Sequence, residues 1–228
     1  MTEPTYVLIH GAWSGAWCWR DLAVAFDRRG VTWIAVDLPS SQISADAATN
    51  LGDDAAHVAA STPTDVPVIL VGHSYGGVVL SEVAPRIANL RRTVFIAALV
   101  PNEGQSATDT SREIRTRTLL DDAIEVDGEY LTLNSQLATQ ALYQDCAPDV
   151  SLWATSRLST QTIASFKSAT TSERVAVPSR YIHCLHDQAI DPSLQKIMAS
   201  RCDERVTIEC GHSPFFSRPE LLSDLILH

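Results

Sequence analysis

The sequence predicts an α/β fold: a doubly wound, mainly parallel six-stranded sheet, interrupted by a helical cap insertion. Three observations predict it. Short apolar runs rich in β-branched residues alternate with stretches of helical spacing at both ends of the chain. One such run, Val68-Ile-Leu-Val71, passes directly into Gly72-His-Ser-Tyr-Gly76 and then into Val78, Val79, Leu80 and Val83, a strand, tight turn and helix in succession. Between about Asn102 and Ser172 the alternation stops. Strands spaced by helices imply parallel βαβ units with right-handed crossovers.

The elements follow in order. Tyr6–His10 is a buried strand that feeds the glycine-containing loop His10-Gly-Ala-Trp-Ser-Gly15. Trp17 to Arg29 carries Trp19, Leu22, Ala23 and Phe26 at helical spacing, and Gly30 ends it. Val31–Val36 is the second strand, broken by Asp37-Leu-Pro39. Asp53 to Ser61 is a second helix, and residues 63–67 turn into the strand at Val68. Thr93–Val100 is a fourth strand, ended by Pro101. Residues 102–172 read as a cap of short helices without a good strand, with Leu119, Leu120, Leu142, Tyr143, Trp153, Leu158 and Phe166 as apolar contacts. Ser179–Leu185 and Arg205–Glu209 are the last two strands, and Pro192–Ala199 and Pro219–Leu227 the last two helices. Residues 1–101 and 173–228 therefore form the core, and 102–172 the lid inserted into it.

Composition narrows the partners. The 228 residues suit one large domain, and 45% of them are hydrophobic, enough for a sizeable core. Seventeen basic against 27 acidic residues leave a net charge of −10 with no basic run, which argues against nucleic acid and anionic membranes. The N-terminus lacks the basic and apolar regions of a signal peptide, and no apolar run is long enough for a membrane span. The five cysteines, Cys18, Cys146, Cys184, Cys202 and Cys210, are scattered and form no C-x-x-C. Reduced thiols in a cytoplasmic protein fit that pattern better than a disulfide framework or a zinc site. The oligomeric expectation is a monomer or a homodimer.

Gly72-His-Ser-Tyr-Gly76 has the form G-x-S-x-G. In a strand–turn–helix context this is a nucleophile elbow: the glycines remove Cβ atoms that would clash, and Ser74 is held with Oγ exposed. The N–H of Tyr75, at the helix start, then points at a developing oxyanion. The N–H of Ala12, after the glycine of the first loop, is the second donor.

A serine hydroxyl needs a base, and the base an orienting acid. Both belong on loops at the carboxyl ends of later strands, in the order serine, acid, histidine. His186-Asp187-Gln188-Ala189-Ile190-Asp191 follows the fifth strand and Cys210-Gly211-His212-Ser213 the sixth. His212 is assigned as the base and Asp187 as the acid. Asp191 reads instead as the cap of the helix opened by Pro192, and Glu103 is the fallback acid. His186 neighbours Asp187 on a strand end and so faces the other way. His73 suits a packing role, His10 shapes its loop, and His57, His183 and His228 read as surface or structural. Trp13, Tyr143 and Trp153 are candidate pocket residues, while Trp17 and Trp19 read as either core or pocket-lining.

With these residues placed, the chain resembles the α/β-hydrolase superfamily, and within it the branch of plant methylesterases, hydroxynitrile lyases and bacterial esterases. The resemblance rests on His10-Gly-Ala-Trp-Ser-Gly-Ala-Trp-Cys-Trp19, Asp37-Leu-Pro39, the elbow, Leu142-Tyr-Gln-Asp-Cys-Ala-Pro-Asp149, Asp187-Gln-Ala-Ile with Gln195, and Gly211-His-Ser-Pro-Phe-Phe-Ser-Arg-Pro219. It implies a Ser74, Asp187, His212 triad, an oxyanion hole of Ala12 and Tyr75 amides, and ester hydrolysis without a cofactor or metal. Lyases of this branch carry a lysine after the histidine and a threonine in the first loop; here these are Ser213 and Ala12. Relatives often have glycine after Asp-Leu-Pro, where this chain has Ser40-Ser41. The expected function is a serine carboxylesterase for small-molecule esters. The alternatives are a hydroxynitrile lyase or C–C bond hydrolase on the same scaffold, and, from another class, a non-catalytic ligand-binding or sensor protein.

Overall fold

A computed structural model describes residues 2–173 and 175–228. Alternation along the first strand sets the architecture. In β1 (Thr5–Ile9), Val7 and Ile9 face one side and Tyr6 and Leu8 the other, and all four are buried. A strand buried on both faces needs a helical layer on each. The elements that follow are α1 (Arg20–Arg28), β2 (Thr32–Val36), α2 (Leu51–Ser61), β3 (Val68–His73), α3 (Gly76–Val83) and β4 (Leu90–Ile96). After a long insertion come β8 (Ser179–Cys184), α9 (Pro192–Ala199), β9 (Glu204–Ile208), α10 (Pro214–Ser217) and α11 (Pro219–Leu227). Val7, Ile9, Val68 and Leu70 pack against α2, α3 and α9 through residues such as Ala55, Val79 and Met198. Tyr6, Leu8, Ile69 and Val71 pack against α1 and α11 through Leu22, Phe26, Leu222 and Ile226.

The six-stranded sheet has the order β2-β1-β3-β4-β8-β9, and every neighbouring pair is parallel. From β1 the chain steps outward to β2, then returns past β1 to β3 and builds the other half. The order therefore reverses between β1 and β3, and the crevice at their carboxyl ends is where open α/β sheets gather ligands.

The fourth strand is shifted toward the N-terminus: it starts at Leu90 rather than Thr93. It ends at Ile96, because Ala97 adopts a left-handed backbone (φ 41) and carries the chain over the start of α3. There the N–H of Leu99 donates to the carbonyl of Ser74 at 3.1 Å.

The insertion also departs from the all-helical expectation. It contains α4 (Ala107–Ser111), α5 (Leu119–Ala123), α6 (Ser135–Tyr143), α7 (Pro148–Thr155) and α8 (Ile163–Lys167). It also contains a three-stranded antiparallel sheet of β5 (Ile124–Asp127), β6 (Tyr130–Leu133) and β7 (Gln161–Thr162). Asp127 pairs with Tyr130, so only Gly128 and Glu129 form the loop, and Gly128 takes the positive φ of 59 that such a short hairpin demands. Asp-Gly between two short alternating runs is the signal that a helical reading of this stretch overlooks. No helix among the described residues is long and apolar enough to cross a membrane.

Candidate active site

The site grows from the ends of four strands. Ser74 follows β3 directly, with a left-handed φ of 54 that a residue carrying Cβ rarely adopts. Its N–H donates to Ile96 at 3.2 Å, and its carbonyl accepts from Gly77 at 3.0 Å and from Leu99. These bonds hold the strained turn in place. The turn closes only because Gly76 has no side chain: a Cβ there would lie 2.4 Å from the carbonyl oxygen of Ile9 and 2.5 Å from that of His10. That close approach brings the loop after β1 against the elbow.

Trp13 in that loop also has a left-handed backbone (φ 59). Atoms of the insertion hold it. Gln161 Oε1 accepts its N–H at 3.4 Å, Ser159 donates its N–H to the Trp13 carbonyl at 2.8 Å, and the indole N–H donates to Leu131 at 2.9 Å. Just before Trp13, the Ala12 N–H has no hydrogen-bond partner among the described residues, nor does that of Tyr75 just after Ser74. Buried backbone donors are rarely left unpaired, and Ala12 and Tyr75 are 8% and 1% exposed.

Asp187 and His212 meet at the ends of β8 and β9. His212 Nδ1 lies 2.7 Å from Asp187 Oδ2. A carboxylate can only accept, so Nδ1 carries the proton and Nε2 keeps its lone pair. Asp187 also accepts from the N–H groups of Ala189 (2.7 Å) and Ile190 (3.0 Å) and from Gln195 Nε2 (2.7 Å). Four donors thus fix the carboxylate, which is 4% exposed. Beneath His212 lies His73, whose Nε2 donates to the His212 carbonyl at 2.9 Å; the two ring centres are 4.5 Å apart. Burial, then the neighbouring His212 ring, holds the His73 pKa well below its ordinary 6.5. His10, lowered by burial, donates from Nδ1 to Gly11 and accepts the Leu38 N–H on Nε2 at 2.9 Å.

Ser74 and His212 line one cleft of about 20 Å³ with Tyr143, Leu158 and Phe215. On the other side of Ser74, a cavity of about 80 Å³ runs between Leu99, Ile114, Leu120, Phe166 and Leu194. Trp13 borders both. Ser74 Oγ has no hydrogen bond among the described residues, and such contacts often close only when substrate arrives.

The other expected residues divide. Tyr143 lines the cleft, whereas Trp153 lines neither space: the Arg20 guanidinium lies 3.8 Å from its ring centre and Arg157 lies 4.6 Å away, and Trp17 meets it edge-on. The charged groups that cover that indole keep it on the outer flank of α7. Asp191 caps α9 through the Ser193 N–H at 2.7 Å. His186 turns outward onto Glu209, and Glu103 is exposed beside a separate cavity behind α3. Cys18, Cys146, Cys184 and Cys210 form no disulfide.

Sequence reasoning missed a buried polar network. Asp54 accepts from the N–H (3.0 Å) and Oγ (2.5 Å) of Ser40 and from the Tyr75 hydroxyl (2.8 Å). Gln161 donates to Ser40 Oγ (2.8 Å) and Ser165 Oγ (2.6 Å) and accepts from Ser41. Burial raises the Asp54 pKa, against these bonds. The serines that replace glycine after Asp-Leu-Pro are thus anchors between α2, the elbow and the insertion. The one signal for them was that departure itself.

A family profile described as the alpha/beta hydrolase family matches residues 6–225. The chain belongs to the alpha/beta hydrolase family. Within this alpha/beta hydrolase family the chain is similar to methylesterase 8 of Arabidopsis thaliana, 25% identical over 100% of this chain and 89% of the relative. It is also similar to methylesterase 2 of the same plant, 27% identical over 97% and 94%. Among solved structures, a pyrethroid hydrolase from Sphingobium faniae superposes with a TM-score of 0.81 over 99% of this chain and 96% of that one, at 21% identity.

Proposed function

We propose that the chain is a serine carboxylesterase acting on small-molecule esters through Ser74, His212 and Asp187. One observation carries this reading: His212, locked onto Asp187 with its Nε2 lone pair free, lines the same cleft as the strained Ser74. In the first step Ser74 Oγ attacks the ester carbonyl and His212 takes its proton, while Asp187 stabilises the imidazolium. The oxyanion is received by the unpaired N–H groups of Ala12 and Tyr75. His212 then protonates the departing alcohol, leaving an acyl-enzyme on Ser74. Water, activated by His212, releases the acid.

The two spaces beside Ser74 support a division of the ester. The alcohol must leave within reach of His212, and that cleft has room for little more than one water-sized group. The larger apolar space on the other side suits the acyl group. Esters of methanol or ethanol with bulkier acids therefore fit best, and the names of the two methylesterase relatives agree with this. The insertion, residues 102–172, acts as the lid that shapes both spaces. All the residues invoked come from one chain, so a monomer suffices, and the scattered cysteines without a C-x-x-C support a cytoplasmic setting.

The test is hydrolysis of a short p-nitrophenyl ester together with labelling by a fluorophosphonate. The parent is expected to do both, and Ser74→Ala neither. Equal turnover by Ser74→Ala and parent would overturn the reading.

A further inference from the structure

The apolar cavity beside Ser74 is not closed at its far end. It opens into a wide outer chamber of about 920 Å³, and Ser111, Ile114, Thr116, Asp121, Ile124 and Phe166 line both. A substrate can therefore lie in one continuous passage from Ser74 to the outside. Its inner part is mainly apolar, with Asp191, Asp121, Ser111, Thr116 and Thr118 as polar members of the wall. Its outer part carries four of the chain's 17 basic residues: Arg112, Arg115, Arg117 and Lys167. In a protein of net charge −10 that concentration is unexpected.

Direct ion pairs with neighbouring acids engage only part of this charge. Arg117 pairs with Asp122 at 2.5 Å. Asp121, the one acid in the outer lining, holds the Thr118 N–H (2.8 Å) and hydroxyl (2.9 Å) at the start of α5. Asp109, whose carboxyl is lowered mainly by its bonds from Ser106 and least by Arg112, caps α4 at Ser106. Glu113 faces away and pairs with Arg201 at 2.6 Å. Arg115 and Lys167 have no ion pair among the described residues.

We propose that this chamber is a subsite for an anionic far end of the acyl group, so that the preferred substrates are monoalkyl esters of dicarboxylic acids. This rests on the esterase reading above. The ester lies at Ser74, the methylene or ring portion fills the apolar passage, and the second carboxylate meets Arg112, Arg115 and Lys167. A free carboxylate presents the two acceptor oxygens that a guanidinium fork matches. Long-range attraction toward the chamber also offsets the repulsion that an acidic protein exerts on an anion.

The experiment compares a series of monomethyl esters of dicarboxylic acids with methyl esters of monocarboxylic acids matched in length. Parent enzyme is expected to show a KM about fivefold lower for the anionic member of a pair, the scale of two partly solvated ion pairs. That preference should fade at high salt. A double variant, Arg115→Glu with Lys167→Glu, should lose or invert it, read as the ratio of the two KM values within each pair. Equal KM values for both members in the parent, or a preference that survives the charge reversal, overturns the proposal. Binding of the same pairs to Ser74→Ala, followed by tryptophan fluorescence, separates the two ideas. If the parent cleaves neither ester, the esterase reading fails, and the binding preference alone then supports or sinks the anionic subsite.

Discussion

Gln195 donates its side-chain N–H to Asp187 Oδ2 at 2.7 Å, the same oxygen that faces His212. The other end of that amide accepts the N–H of Cys184 at 3.0 Å, at the last residue of β8. A side chain on α9 thus ties the carboxylate to the strand that presents it. Gln195→Leu keeps the volume and removes both bonds, together with a third from Nε2 to the Ile190 carbonyl at 2.9 Å. Turnover of a methyl ester should fall about 10- to 100-fold, the cost of a small misplacement of a catalytic group, with KM nearly unchanged. Steady-state kinetics check this, and an unchanged kcat would show that the bonds to Ala189 and Ile190 suffice.

Gln161 sits at the centre of the buried network that joins the insertion to the elbow. Gln161→Leu leaves Ser41 and the Trp13 N–H without their acceptor. Burying unmet polar groups costs about 1–3 kcal/mol, which for a domain of this size lowers Tm by roughly 2–4 °C per kcal/mol. Gln161→Glu should not restore the parent, because a carboxylate cannot donate to Ser40 and Ser165. Thermal unfolding of the two variants beside the parent tests both statements.

His73 and His10 set an acid limit on stability. Burial lowers both pKa values in the folded chain, while the unfolded chain titrates near the ordinary 6.5. Below pH 6.5 the unfolded state binds protons that the folded state refuses. Stability is therefore full above pH 6.5 and falls as the pH drops through and below it, by up to about 1.4 kcal/mol per pH unit for each histidine. Asp54 acts in the opposite sense, since its raised pKa lets the folded state take a proton at a pH where the unfolded carboxyl has lost it. His73→Gln retains a donor for the His212 carbonyl and does not titrate. Its denaturant midpoint should fall less steeply than the parent's between pH 6.5 and 5; parallel curves would remove His73 from the account.

Gly76→Ala places a methyl group on two backbone carbonyls that cannot turn aside. The chain must separate the first loop from the elbow or strain both. A loss of about 1–3 kcal/mol, typical of overpacking, is expected, together with a larger loss of turnover than Tm alone would suggest. Circular dichroism melting and ester hydrolysis on one preparation measure the two effects.

Much of this was legible in the sequence because the signals were local. Strand alternation around Val68 and the glycines flanking Ser74 fix β3, the elbow and α3 within a dozen residues. Chain order and loop position then bring Asp187 and His212 to the same sheet edge. The parts that were not legible depend on contacts between distant stretches. Gln161 and Ser40 lie far apart in the chain, and neither polar residue announces that it is buried. Trp153 reads as an apolar contact in a helix, yet two arginines from different elements cover it. The β5–β6 hairpin was masked by helix-prone neighbours, although Asp127-Gly128 marked its turn.

Trp13 is fastened to the insertion through its N–H, its carbonyl and its indole nitrogen. That has a consequence for anyone who recombines these proteins. Residues 102–172 are not an interchangeable module: a chimaera that borrows this stretch from a relative must bring matching partners at positions 131, 159 and 161. Without them the Ala12 N–H beside Ser74 loses its scaffold, and the hybrid folds with an intact lid over a displaced loop.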